Sequence, residues 1–243
     1  QLPVALGVVG ATATIVGTPA ALETQVNVQA PTLAYGGQIY PASATAIFAD
    51  GGLSIPQALV QVGAGTLTGE GRVVADSWQA TVAANNIDLQ TLGLAPSLRG
   101  NLNADVALAG PIQGASLENL LAMGDYRLQL ADGSVQGNAE LINGGWQTTA
   151  TVNSLGLSQF AAQLSGDTDG TVSLEGNVNA RTLADVRGQG DLTFSAGLAG
   201  FSPQLAGFDT PLDSRITWTG QEILIEAASS AQLVARGVVS TQI

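Results

Sequence analysis

The run Asn101-Leu102-Asn103-Ala104-Asp105-Val106-Ala107-Leu108 decides the fold. Leu102, Ala104, Val106 and Leu108 recur at every second position, with Asn101, Asn103 and Asp105 between them. Successive side chains of an extended chain point to opposite sides, so this alternation is that of a strand with one apolar and one wet face. The same pattern continues outward from it. Tyr126, Leu128 and Leu130 alternate with Asp125, Arg127 and Gln129, and Val135, Gly137, Ala139 and Leu141 with Gln136, Asn138 and Glu140. Val172 and Leu174 oppose Glu175, Ile216 and Trp218 oppose Arg215, and Ile223 and Ile225 oppose Glu222 and Glu226. The assignment sets Leu102, Val106, Leu108, Leu128, Leu130, Val172, Leu174, Ile216, Ile223 and Ile225 on one concave side. It sets Asp105, Arg127, Glu140, Glu175, Arg215, Glu222 and Glu226 on the convex side. One surface is expected to be wet and the other continuously apolar. Helical signals are short, at Ser116 to Met123, Leu155 to Leu164 and Leu198 to Leu205, so the expectation is an all-β chain with few short helices.

The alternating blocks repeat. Trp78, Gln79, Thr81, Asn85 and Leu89 recur as Trp146, Gln147, Thr149, Asn153 and Leu157, an offset of 146 − 78 = 68. Leu98, Gly100, Val106, Leu108, Gly110, Leu117, Gly124 and Asp125 recur as Leu164, Gly166, Val172, Leu174, Gly176, Leu183, Gly190 and Asp191, an offset of 164 − 98 = 66. A weaker match sets Leu67, Gly71 and Val73 against Leu233, Gly237 and Val239. These offsets divide the chain into approximate units 1–68, 69–136, 137–202 and a partial 203–243, with no linker between them. Parallel β-helices repeat every coil of roughly 20 residues and propeller blades every 40 to 50. The longer period points to an elongated, curved antiparallel sheet of tandem repeats, a half-pipe of about 16 strands and about 75 Å at the usual strand spacing. Small Ala and Val side chains on the apolar face favour an open lumen, with a closed Ala- and Val-rich sandwich as the alternative.

Composition removes much chemistry. The 243 residues hold 7 basic and 19 acidic side chains, a net charge of −12, which argues against nucleic acid or an anionic membrane surface as the main partner. With no Cys and no His there are no disulfides, thiol nucleophiles or imidazole-based triads, and the expectation is a protein that is not an enzyme and carries no cofactor or metal. Gly166-Asp167-Thr168-Asp169-Gly170 suggests a calcium loop, but Val172 and Ser173 stand where further ligands belong, so the reading is a tight turn. Glu222 and Glu226 read as a solvated strand face rather than a paired-carboxylate site. Gly63, Gly65, Gly69 and Gly71 lack phosphate-loop spacing and read as turns and bulges. Trp78, Trp146 and Trp218 read as wedges sealing the sheet. The opening Gln1 to Gly17 lacks an initiator Met and a basic leader, and the chain stops in a strand-like run, so it is expected to be a piece of a longer one.

The repeated elements are a Trp-Gln strand followed by N-x-(I/L)-x-L, then G-x-(L/T)-x-x-x-V-x-L-x-G, then a connector leading to G-D-(Y/L)-x-(L/F). With the closing Ile216-Thr217-Trp218-Thr219-Gly220 and Glu222-Ile223-Leu224-Ile225, they resemble the TamB family of the AsmA-like superfamily from about Leu33 onward. The Ala- and Gln-rich, Lys-poor composition is similar to that of cyanobacterial members. The resemblance implies a periplasmic β-taco with an apolar lumen, anchored in the inner membrane and reaching an Omp85-type outer-membrane protein through regions outside this stretch. It implies transfer of phospholipid or another acyl lipid along the groove in support of outer-membrane biogenesis. The alternative it carries is a scaffold for outer-membrane protein assembly or translocation. No catalytic residue is implied.

Overall fold

A computed structural model describes residues 4–5, 7–18, 21–35, 38–91, 99–114, 116–159, 162–180, 182–202, 204, 206–229 and 234–240. The strands in chain order are β1 (Val4–Ala5), β2 (Gly10–Thr18), β3 (Ala21–Ala30), β4 (Ala34–Tyr35), β5 (Gln38–Ile39) and β6 (Ala42–Ala49). They continue as β7 (Gly52–Val62), β8 (Gly65–Val74), β9 (Ser77–Asp88), β10 (Gly100–Pro111), β11 (Leu121–Leu130) and β12 (Ser134–Ile142). The last six are β13 (Gly145–Gly156), β14 (Asp167–Asn177), β15 (Arg187–Phe194), β16 (Leu212–Trp218), β17 (Glu222–Ser229) and β18 (Val234–Ser240). Strands β1, β4 and β5 form a small sheet of their own. The other 15 form one antiparallel sheet in which each strand pairs with its neighbours in sequence, β3 joining β6 across the small sheet. The sheet is not closed into a barrel, since among the described residues β2 and β18 each pair on one side only.

Tight hairpins set this meander. Asp50-Gly51 and Asn143-Gly144 both take positive φ, at 51° and 73° and at 50° and 76°. Two such residues in succession form the turn whose twist matches that of the flanking strands. They join Ala49 to Gly52 and Ile142 to Gly145, which are paired residues of β6–β7 and β12–β13.

Two bulges interrupt the ladder in corresponding places. Between β9 and β10, Leu102 pairs with Ile87 and Ala104 with Ala84, so Asn85 and Asn86 together oppose Asn103. Between β13 and β14, Val152 pairs with Gly170 and Leu155 with Thr168, so Asn153 and Ser154 oppose Asp169. In each the second extra residue has positive φ, 54° at Asn86 and 45° at Ser154. Its backbone N–H donates to the opposing side chain, Asn86 N to Asn103 Oδ1 at 2.9 Å and Ser154 N to Asp169 Oδ1 at 2.7 Å. A third bulge sets Pro56 and Gln57 of β7 against Glu70, between the Gly69 and Gly71 pairings, which accommodates a proline inside a strand.

Two expectations are corrected. Ser116 to Met123 holds no helix; turns at 117–118 lead into β11 at Leu121. The other two helical signals, each read as holding a turn or two, do hold 3₁₀ turns among the described residues, at Leu157–Gln159 and Gly197–Gly200. Asp167 and Asp169 open strand β14 instead of forming a tight turn, because the aspartates belong to the ladder and one of them serves a bulge.

The buried apolar residues on the strands are Ala30, Val62, Ala84, Ile87, Leu130, Ala150, Val152, Leu155 and Leu212, and all lie on one face. They gather toward one end of the strands, where Leu89, Leu130, Val152 and Leu155 form one cluster and Val62, Ala84 and Ile87 another. Ile87 and Leu89, each 2% exposed, are the most deeply buried. The accessible surface is 14785 Å². A compact monomer of this mass exposes about 10,000 Å², so a large share of the sheet is left uncovered.

Candidate apolar groove

Directly paired residues of an antiparallel sheet share a face, so register alone fixes where each side chain stands. One row runs Ile87, Leu102, Leu128, Val135, Val152. The next runs Ala84, Ala104, Tyr126, Gly137, Ala150, Val172, Gly190, Ile216, Ile225. A third follows Val82, Val106, Gly124, Ala139, Thr148, Leu174, Gly188, Trp218, Ile223, and a fourth Ala80, Leu108, Ala122, Leu141, Trp146, Gly176. Leu130 pairs with Gly100 at the rim. All ten residues expected on one face therefore stand there. Leu130 is buried and the other nine are half-buried, as side chains are when their own neighbours cover them laterally and no second sheet of comparable size among the described residues stands above.

Large and small residues alternate along these rows. Trp78 and Trp146 lie flat across the next strand over Gly110 and Gly176, where an added Cβ would come within 3.1 Å and 2.6 Å of the indole. The Trp146 Nε1–H donates to the Asn177 carbonyl at 3.2 Å. Trp218 breaks the pattern: its neighbour on β17 is Ile223, and its Nε1–H is buried without a partner. The wedge reading thus fits two tryptophans and not the third.

The sequence pattern missed a polar pair within this face. The Tyr126 hydroxyl lies 2.8 Å from Thr148 Oγ1, which donates to the Asn138 carbonyl at 2.7 Å. Both hydroxyls are thereby bonded internally and the surface around them stays apolar. No spacing rule could have linked Tyr126 to Thr148, because they sit two strands apart.

Asp105, Arg127, Glu140, Glu175, Arg215 and Glu222 occupy the opposite face; the Glu226 side chain lies outside the described residues. Arg215 bonds Asp191 on the neighbouring strand at 2.9 Å, Thr193 bonds Asp213, and Arg72 bonds Gln79. This face is not uniformly polar. Ala107, Ala109, Leu121, Met123 and Ile142 share it and line an open hollow of about 690 Å³, Met123 being 62% exposed. Leu121 and Met123 keep the parity of Asp125, so extending β11 to Leu121 carries them outward. Among the described residues no three Asp or Glu side chains gather to hold a metal ion. No helix among them is long and apolar enough to cross a membrane.

No family model matches this chain, and no curated protein or solved structure is significantly similar to it.

Proposed function

We propose that this chain is a section of a lipid-conducting half-pipe of the TamB type, built of tandem repeats and working in the periplasm between inner and outer membrane with an Omp85-type partner. The observation that carries the reading is the apolar face of a 15-stranded sheet, against which the described residues set no second sheet of comparable size. Its rows of half-buried aliphatics run across β9 to β17, a path for acyl chains along the hydrogen-bonding direction. The corresponding bulges at Asn86 and Ser154 (154 − 86 = 68) and the Trp–Gly pairs at Trp78 and Trp146 (146 − 78 = 68) support the repeat.

The energetics favour passage over storage. A lipid tail gains about 0.8 kcal/mol per shielded CH₂, so it must be shielded along its whole length. A groove no more attractive than a bilayer lets it leave again. Uniform Leu, Val, Ala and Gly with internally bonded hydroxyls provide such a surface. The side of Leu108, Leu141 and Trp146, away from the buried rim, is the margin where headgroups stay in water.

Mass spectrometry of organic extracts of the purified protein is the first test, with co-purifying phospholipid expected. The second is Leu128→Glu and Val172→Asp, with Arg127→Glu on the opposite face as control. A charge facing a lipid tail loses hydration without gaining a partner. The two groove variants should keep strand-type circular dichroism yet lose lipid crosslinking and fail to support outer-membrane integrity, while the control behaves as wild type. Folded groove variants with undiminished crosslinking at neighbouring positions would reject lipid passage and favour the assembly scaffold.

A further inference from the structure

We infer that the hollow around Met123, on the face opposite the groove, docks an amphipathic helix of a partner protein, apolar on one side and bearing Lys or Arg along its flanks. This docking is independent of what the groove carries. Leu121, Met123 and Ile142 are 47%, 62% and 47% exposed there. Beside them stand Ala107 and Ala109, too small to fill the space between, and together they border the open volume of about 690 Å³. Exposed apolar surface gathered in one place and rimmed by polar groups marks a contact site. The rim here is acidic. Met123 lies in a row that runs Glu70, Thr81, Ala107, Met123, Glu140, with a carboxylate at each end. The next row sets Asp105 directly opposite Asp125, and like charges at paired positions weaken a sheet. None of these four carboxylates forms an ion pair among the described residues. Of the nearby cations, Arg72 bonds the Gln79 amide and Arg127 stands one row farther from Met123.

Backbone, length and charge select the occupant. Each of β8 to β12 is paired on both sides, so a segment lying on this face meets side chains only and must satisfy its own backbone, as a helix does. From β8 to β12 the row covers about 19 Å, the length of about 13 helical residues. Such a helix sets its apolar stripe over Ala107 and Met123 and brings cations to Glu70 and Glu140 at its ends and to Asp105 and Asp125 along its side. Met123 suits the contact, because an unbranched thioether adapts to the anchor it meets. A second copy of this chain is the poorer occupant. Its described helices are single 3₁₀ turns, and the nearest two of its 7 basic residues, Arg181 and Arg187, stand 187 − 181 = 6 positions apart. Pairing this face with its own copy would also set acid against acid, and anionic lipid headgroups would meet the same repulsion.

Met123 is the chain's single methionine, so a ¹³C-methyl label on methionine gives one NMR signal, placed in the hollow. The probe is a synthetic helical peptide of about 16 residues, enough to cover the row, with Leu along one side and Lys on the flanks. Its comparison is the same peptide with Glu for Lys. The lysine peptide should shift the signal saturably with a Kd below about 1 mM, and the glutamate peptide should leave it in place. By fluorescence anisotropy of the labelled peptide, Met123→Glu should weaken binding at least roughly tenfold. Asp105→Asn combined with Asp125→Asn should weaken it roughly threefold to tenfold and yet raise the melting temperature, since the two carboxylates oppose each other across the ladder. A pair with a purely structural role would not separate the two readouts in this way. The inference is overturned by a signal that the lysine peptide at about 1 mM does not move, by an equal response to both peptides, or by binding that Met123→Glu or the asparagine pair leaves undiminished. A signal that shifts on dilution of the chain alone would make the hollow a contact between copies, and one moved by phosphatidylglycerol vesicles but not by the peptide would make it a membrane surface; either rejects the helix. The asparagine pair keeps the test decisive even where Met123→Glu fails to fold.

Discussion

Asn103 and Asp169 do the same work beside two bulges: each accepts the N–H that the extra residue turns away from the ladder. The Asn86 and Ser154 backbones hold positive φ there, a conformation that side-chain-bearing residues adopt at some cost and that a fixed hydrogen bond helps to hold. Asp169→Ala should therefore destabilise the protein by about 1 kcal/mol, the net worth of one partly solvated bond. Asp169→Asn should retain most of the stability, because Asn fills that role at Asn103. Urea midpoints of the two variants check this. A loss shared equally by Asp169→Ala and Asp169→Asn would mean that the carboxylate acts by charge alone. Nothing in the Gly-Asp-Thr-Asp-Gly run announces the role. An acceptor for a bulge amide is defined by the opposing strand, so sequence alone showed the acidic spot and not its use.

Among the strands, period-two alternation was legible wherever a charged or amide side chain marked each outward position, as in β10, β11 and β12. It was misread between Ser116 and Met123, where Leu117, Leu120 and Leu121 stand at helical spacing. Pairing of Leu121 with Ala109 and of Met123 with Ala107 and Glu140 outweighs that local pattern. The tryptophan markers were visible as repeats, but the glycines on which they lie were recognisable only as punctuation. Those glycines make the strands separately testable. A Cβ at Gly176 would stand 2.6 Å from the Trp146 ring, and one at Gly110 3.1 Å from that of Trp78. Overpacking typically costs about 1–3 kcal/mol, so Gly176→Ala should lie at the upper end of that range and Gly110→Ala near the lower. Thermal melts with tryptophan fluorescence should report both, the larger blow falling on Gly176→Ala.

At the scale of the whole molecule, the described strands form one large sheet and one small one. If the sheet stays extended, fifteen strands at about 4.8 Å spacing would span about 70 Å. Small-angle scattering of the monomer should give a radius of gyration near 23 Å by the same arithmetic, against about 18 Å for a compact chain of this size. A value at the compact figure would mean that the sheet is folded back on itself and its apolar face sealed. The side that each strand presents was open to reading because it follows from local periodicity. The hollow under Met123 and the Tyr126–Thr148 pair were not, since they depend on register among three or more strands. The near-neighbour order of the large sheet, broken only where β3 joins β6, also bears on how the chain is made. Each strand finds its partner a short way back along the polypeptide, so loop closure is cheap at every step and assembly need not wait for distant segments. A chain emerging from one end can lay down its strands in the order of synthesis. By the same logic it should open from its two ends inward, and amide hydrogen exchange should be slowest in β10 to β13 and quicken stepwise toward β2 and β18.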